Sequence, residues 1–266
     1  MTDFGQKQKS VKQTTALVKW EEELARQADA AAAQEASTGG GQFFSLRGGI
    51  LKLNDSPLPN NEMAVVILDS VLENVYYVED FDPEAPSAPT CYAFGRDEKT
   101  IAPHGEVEKP QCASCVDCEW NKWASSARGR GKACRNRRRL AVIPAGTLDA
   151  AGRFTAFNEP EAYEAQQVVY LALPPTSING FGGFVKQVAG ALQRPPHGIF
   201  TKVKLVPDNK TQFKVTFEAL GPVPRELLPV VMKRHTEVQQ VIEFPYAAKT
   251  EVPVAKPKGK PKARKY

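Results

Sequence analysis

Five cysteines fall between positions 91 and 134, and the rest of the 266-residue chain contains none. That clustering constrains the fold more than any other feature. Cys115-Val116-Asp117-Cys118 is a C-x-x-C pair, a spacing that lets two thiolates reach one ion from a tight turn. Cys112 precedes the pair with the same gap, Cys134 follows it, and Cys91 lies upstream. Tetrahedral zinc takes four soft ligands, so five thiols supply a set with one to spare and His104 as an alternate. Cys112, Cys115, Cys118 and Cys134 also have the outline of an iron–sulfur arrangement. Nothing around them suggests redox chemistry, and structural zinc is the favoured reading. His104-Gly105-Glu106 mimics the H-x-E of zinc deaminases, but Ser114 stands before Cys115 where that chemistry has proline. The other histidines, His197 and His235, lie far away in sequence. With no clustered acids and no second nearby histidine, a nuclease or deaminase ranks last and no enzyme is expected.

Thiol chemistry depends on compartment. The N-terminus MTDFGQKQKS lacks the basic-then-apolar pattern of a secretory signal. No run approaches the ~18 apolar residues of a membrane span. The sequence therefore predicts a cytoplasmic protein without membrane attachment, where close thiols hold metal rather than form disulfides.

A cationic run overlaps the cysteine region. Arg128, Arg130, Lys132, Arg135, Arg137, Arg138 and Arg139 crowd twelve positions with no acid among them. Their mutual repulsion must be offset by something anionic. Trp120, Trp123, Tyr92 and Phe94 lie in the same stretch. Cations that track phosphates, beside aromatic faces on which bases stack, are what single-strand binding requires. The tryptophans could equally form the small core of a metal knuckle. The net charge of +5 is uneven: the last 18 residues carry +6, which leaves the remainder at −1. Overall charge thus says little about partners, and the local cluster carries that argument.

The pattern elsewhere is β-rich. Residues 10–37 read as a helix that ends at Gly39-Gly40-Gly41. Strands are expected at 43–46, 50–53, 63–77, 140–143, 168–173, 199–205 and 212–220. Helices are expected at about 180–192, capped by Thr176 or Ser177, and at 224–240. Residues 79–136 show no apolar period. This order suits a β-rich α+β fold, a small barrel of the oligonucleotide-binding type with an inserted zinc knuckle at about 89–139. It implies a helical lead-in at 1–40, a binding domain at 41–246 and a disordered basic tail at 247–266. Phe43, Phe44, Tyr76 and Tyr77 are candidates for the barrel's binding face.

Particular strings carry a resemblance. Pro89-Thr90-Cys91-Tyr92-Ala93-Phe94-Gly95, Pro103-His104, Cys115-x-x-Cys118 with Asn121, and Gly129-Arg130-Gly131-Lys132-Ala133-Cys134 with Arg138-Arg139-Leu140 stand in order. Leu173-Pro174-Pro175-Thr176-Ser177 and the strand pair at 199–220 follow. Over roughly residues 40–246 the chain resembles a family of phage-encoded, zinc-containing single-stranded DNA-binding proteins. The resemblance implies Cys91, Cys115, Cys118 and Cys134 as the zinc ligands, with Cys112 the extra one. It implies non-sequence-specific binding of single strands in phage replication or recombination, and phage replication proteins as partners. Glu119 departs from the pattern where proline is expected, and Ala124 where glycine is expected. Both changes fall in the turn and bear on its geometry. The basic tail is unlike the acidic tail with which bacterial single-strand-binding proteins recruit partners. The competing reading is a zinc-organised protein-interaction or regulatory module whose arginines meet an acidic protein.

Overall fold

The longest apolar run in the sequence becomes the spine of the molecule: β4, Glu62–Tyr76, a strand of 15 residues buried along most of its length. In a computed structural model, Trp20, Glu23, Arg26, Gln27 and residues 42–78, 88–127, 129 and 131–246 are described. The chain divides into two units, residues 1–40 and 41–266. In the first, the four described residues are helical, and Glu23 accepts hydrogen bonds from Arg26 and Gln27. The rest of the expected 10–37 helix, and all of the basic tail, lie outside the described residues. Among the described residues no helix is long and apolar enough to cross a membrane.

The second unit begins with β1 (Gln42–Phe43), β2 (Lys52–Leu53) and β3 (Ser56–Pro57), then β4. After it come β5 (Cys91–Gly95), β6 (Arg135–Pro144), β7 (Gly146–Leu148), β8 (Phe154–Ala156) and α1 (Pro160–Ala165). The chain closes with β9 (Val169–Leu173), α2 (Pro175–Leu192), β10 (Ile199–Asp208), β11 (Gln212–Pro222) and α3 (Leu228–Val241). A seven-stranded sheet runs β1-β9-β6-β4-β10-β11, with β5 paired to β4 off that path. Only β1 and β9 are parallel; the other pairs are antiparallel. The class is therefore β-rich α+β, as the sequence predicts. The sheet is not a closed barrel: its path ends at β1 and β11, which are not paired to each other.

Alternation along the strands feeds two cores. Val65, Ile67, Leu140 and Val142 pack under Phe181, Phe184 and Val188 of α2. Val66, Val71, Ala141 and Ile143 pack under Val230, Val231 and Val238 of α3 on the opposite face. Each such side chain contributes roughly 1.5–3 kcal/mol when removed from water. Pro175 opens α2 at its first turn, where a missing N–H is harmless. No side chain caps that helix. Ser177, expected as a cap with Thr176, instead accepts a hydrogen bond from the Val215 amide (2.9 Å) and ties α2 to β11.

Two strands share one edge of β4. β10 pairs with residues 62–66 and β5 with residues 72–76, so residues 67–71 form a notch without a partner strand on that side. On the other edge β6 runs the whole way, with a register shift between Ile67 and Asp69 that leaves Leu68 as an extra, bulged residue. The sequence reading missed β5, and it started β6 at Leu140 rather than at Arg135. Five of the first six residues of β6 are arginine or asparagine, so no apolar alternation marks them. Pairing with the far half of β4 makes them a strand.

Candidate metal centre and nucleic-acid edge

Short backbone bonds draw the cysteine region together. The Cys115 amide donates to the Ile101 carbonyl (3.0 Å), and the Cys134 amide to the Trp120 carbonyl (2.8 Å). Asn121, in the single helical turn Glu119–Asn121, donates from its side chain to the Cys115 carbonyl (2.7 Å). Its side-chain oxygen accepts from Asn136 of β6 (3.0 Å) and from Lys132 (3.1 Å). These bonds clip a loop of Gly-, Ser- and Cys-rich backbone, with little apolar content of its own, onto the ends of β4, β5 and β6.

All five cysteines line one cavity of about 20 Å³, together with Asn74, Tyr76, Trp120 and Asn121. That is room for one water molecule or one ion. Cys91, Cys115, Cys118 and Cys134 are buried, and Cys112 is half-buried. Among the described residues no three histidine, cysteine or acidic side chains already stand at the mutual spacing of a ligand set. The donor chemistry nevertheless fits a soft cation. Burial and neighbouring thiols push Cys134 and Cys112 up to about 12, and burial also raises Cys91 and Cys115. Uncompensated thiolates cannot share so small and dry a space, whereas a divalent ion stabilises them there. His104 is placed elsewhere. Its ring stacks on Tyr92 (5.3 Å, 23°) and does not line the cavity.

The departures from the resembled pattern have structural addresses. Glu119 opens the helical turn and pairs with Lys122 (2.5 Å) at the surface. Ala124 has φ of +67°, the left-handed region that glycine enters freely.

The structure sorts the proposed binding residues into three groups. Trp123 is 77% exposed and Trp120 38% exposed, the latter stacked on Tyr76 (4.9 Å, 20°). Lys132 and Arg137 are half-buried and Arg135 is exposed; the Arg135 guanidinium lies 6.0 Å from the Tyr77 ring centre. Trp120, Trp123 and Lys132 lie on the cysteine loop, and Arg135 and Arg137 open the strand that leaves it. Arg128 and Arg130 lie outside the described residues.

Three candidates, Arg139, Phe44 and Tyr76, are buried instead. Arg139 is fully buried and pairs with the equally buried Glu73 (2.5 Å). It also donates to the carbonyls of Ile242 (3.0 Å) and Phe244 (3.1 Å). The rings of Phe94 and Phe244 each stand 4.2 Å from it. The Tyr246 hydroxyl donates to the same Glu73 oxygen (2.8 Å). Arg139 is thus a core cation and not a phosphate ligand. Phe44 is buried in the core under α2. Phe43 packs against Tyr170 (5.5 Å) and Phe244 (6.0 Å) on the opposite face, so neither joins the loop. A signal for the buried pair was present in the sequence: Glu73 is a lone acid in the apolar second half of β4, and an interior carboxylate requires a cation. Arg138 points to the α2 face, 5.6 Å from the Phe181 ring.

Comparison with protein-family models, with curated proteins and with solved structures finds no match to this chain.

Proposed function

We propose that this chain is a non-enzymatic, non-sequence-specific single-stranded DNA-binding protein, stabilised by structural zinc, of the kind that coats strands during phage replication or recombination. The observation that carries the reading is that five thiols line one ion-sized cavity walled by Trp120, in a loop that also carries Lys132 and the exposed Trp123 and runs directly into Arg135 and Arg137 of β6. Cys91, Cys115, Cys118 and Cys134, the four buried thiols, would hold the ion, with Cys112 at the entrance. The ion supplies cross-linking of distant segments, which a loop this poor in apolar residues needs to hold a shape. In this reading the zinc knuckle at about 89–139 and the strands β4, β5 and β6 serve as an open platform in place of an oligonucleotide-binding barrel. Phosphates follow the arginine edge and bases stack on the tryptophans.

Two measurements on the purified full chain test this. Metal analysis is expected to find one zinc per chain. Titration with oligo-dT is expected to show tight binding that weakens steeply with salt, and duplex of equal length is expected to bind less well. A metal-free protein with five freely reactive thiols sinks the metal centre. Salt-insensitive or absent oligo-dT binding, with Arg135 and Arg137 instead required for capture of an acidic protein, favours the interaction-module reading.

A further inference from the structure

The notch on the edge of β4 holds a cavity of about 160 Å³ outside the cysteine loop. Its size is informative: an apolar cavity of about 150 Å³ accommodates benzene, so this one has room for a single six-membered ring. Phe181 and Val185 of α2 form an apolar wall, and Arg138, Ser70, His197 and His235 bring polar atoms to it. His197 and His235 stack on each other (4.1 Å, 24°).

The polar groups are oriented by the fold. Arg138 donates through Nη1 to the Ser70 hydroxyl (3.3 Å), while its buried Nε has no hydrogen-bond partner among the described residues. An orphaned donor on a charged group is costly, and such groups usually mark a missing ligand or water. The bulge at Leu68 frees a carbonyl that His235 Nδ1 meets at 2.6 Å. A carbonyl only accepts, so Nδ1 carries the proton and Nε2 remains an acceptor in the neutral ring. The acid in the notch is already engaged, since Asp69 receives both terminal nitrogens of Arg96 (2.9 and 2.5 Å).

We propose that this notch captures one unstacked pyrimidine base of a bound single strand. The inference rests on the proposed function and deepens it by naming a base preference. A pyrimidine edge carries both acceptors and an N–H donor, matching the free Arg138 Nε and the His235 Nε2. Its π-face suits the Phe181 and histidine rings. A bicyclic purine is larger by a fused ring than the single ring this volume matches. Arg138 lies on the same strand as Arg135 and Arg137, next to Arg137 and turned toward α2.

The full chain is titrated with oligo-dT and oligo-dA of equal length, and thymidine 5′-monophosphate is added separately while histidine ring signals are followed by NMR. Oligo-dT is expected to bind at least fivefold tighter than oligo-dA. Val185→Phe, which fills the cavity, is expected to bring that ratio close to one, whereas a preference arising only from the flexibility of oligo-dT would survive it. In the wild-type protein the mononucleotide is expected to shift the His197 and His235 signals and leave His104 unmoved. Equal binding of both oligonucleotides with unmoved histidine signals overturns the notch while the single-strand reading stands. Equal shifts with inorganic phosphate overturn it too, because the ring is then not what is recognised. Failure to bind any oligonucleotide removes the proposed function itself.

Discussion

Arg139 and Arg135 are four positions apart in one cationic run and have opposite fates. Arg139 is enclosed with Glu73, Tyr246 and three phenylalanines, so removing the cation leaves a buried carboxylate without its partner. Arg139→Met is expected to destabilise the fold by about 3–5 kcal/mol in urea denaturation, and the double change with Glu73→Leu to recover much of that loss. Ala124 offers the opposite sign. Its φ of +67° strains an alanine, and Ala124→Gly is expected to gain about 0.5–1 kcal/mol after glycine's entropy in the unfolded chain is subtracted. Trp123 is largely solvent-facing. Trp123→Ala is therefore expected to leave the melting temperature within a degree or two. It is expected to weaken oligo-dT binding by about 1–3 kcal/mol if one base stacks there.

The cysteine loop and the sheet behind it differ in what holds them. β10 and β11 are secured by a long antiparallel ladder and by α2, while the loop is held by a few backbone bonds and, in the proposed reading, by an ion on its thiols. Adding a strong chelator, or replacing Cys115 by serine, is expected to speed hydrogen exchange across residues 101–134. Amides of β10 and β11 are expected to keep their protection. Uniform loss of protection across both regions would show that the loop is not a separate metal-dependent element. The β-branched and aromatic runs in β4, β9, β10 and β11 were legible as strands because their composition is that of a half-buried pleated surface. The arginine half of β6 was not, because its partners are supplied by β4, sixty or more residues earlier in the chain.

At the scale of the molecule, charge and protonation set the response to solvent. Lys132, Arg135 and Arg137 are described cations on the cysteine loop and the strand that leaves it. If all three meet phosphates, they contribute about −2 to the slope of log affinity against log salt. Replacing Arg135 and Arg137 by alanine is expected to make that slope shallower by about 1.4. Stability has its own pH dependence. Burial, with His235 beside it, holds His197 below its ordinary value of 6.5, and Asp69 opposes the shift. The unfolded chain therefore takes up this proton before the folded one does. Stability is expected to fall as pH drops below about 6.5, until the folded-state value is passed, and to be flat above it. Urea midpoints at pH 7.5 and pH 5.5 check this, and His197→Phe is expected to reduce the difference.

The sequence by itself determined the β-rich class, the positions of most strands, the two long helices of the sheet domain, and the segment where cysteines, tryptophans and arginines occur together. These are local properties of composition and period. Only the tertiary structure decided which arginines face solvent and which are interior, because alternation along β6 has no meaning until β4 and the helices define its two sides. The same holds for the notch: Arg138, His197 and His235 are separated by tens of residues, and a bulge at Leu68 with an interrupted strand edge brings them to one cavity.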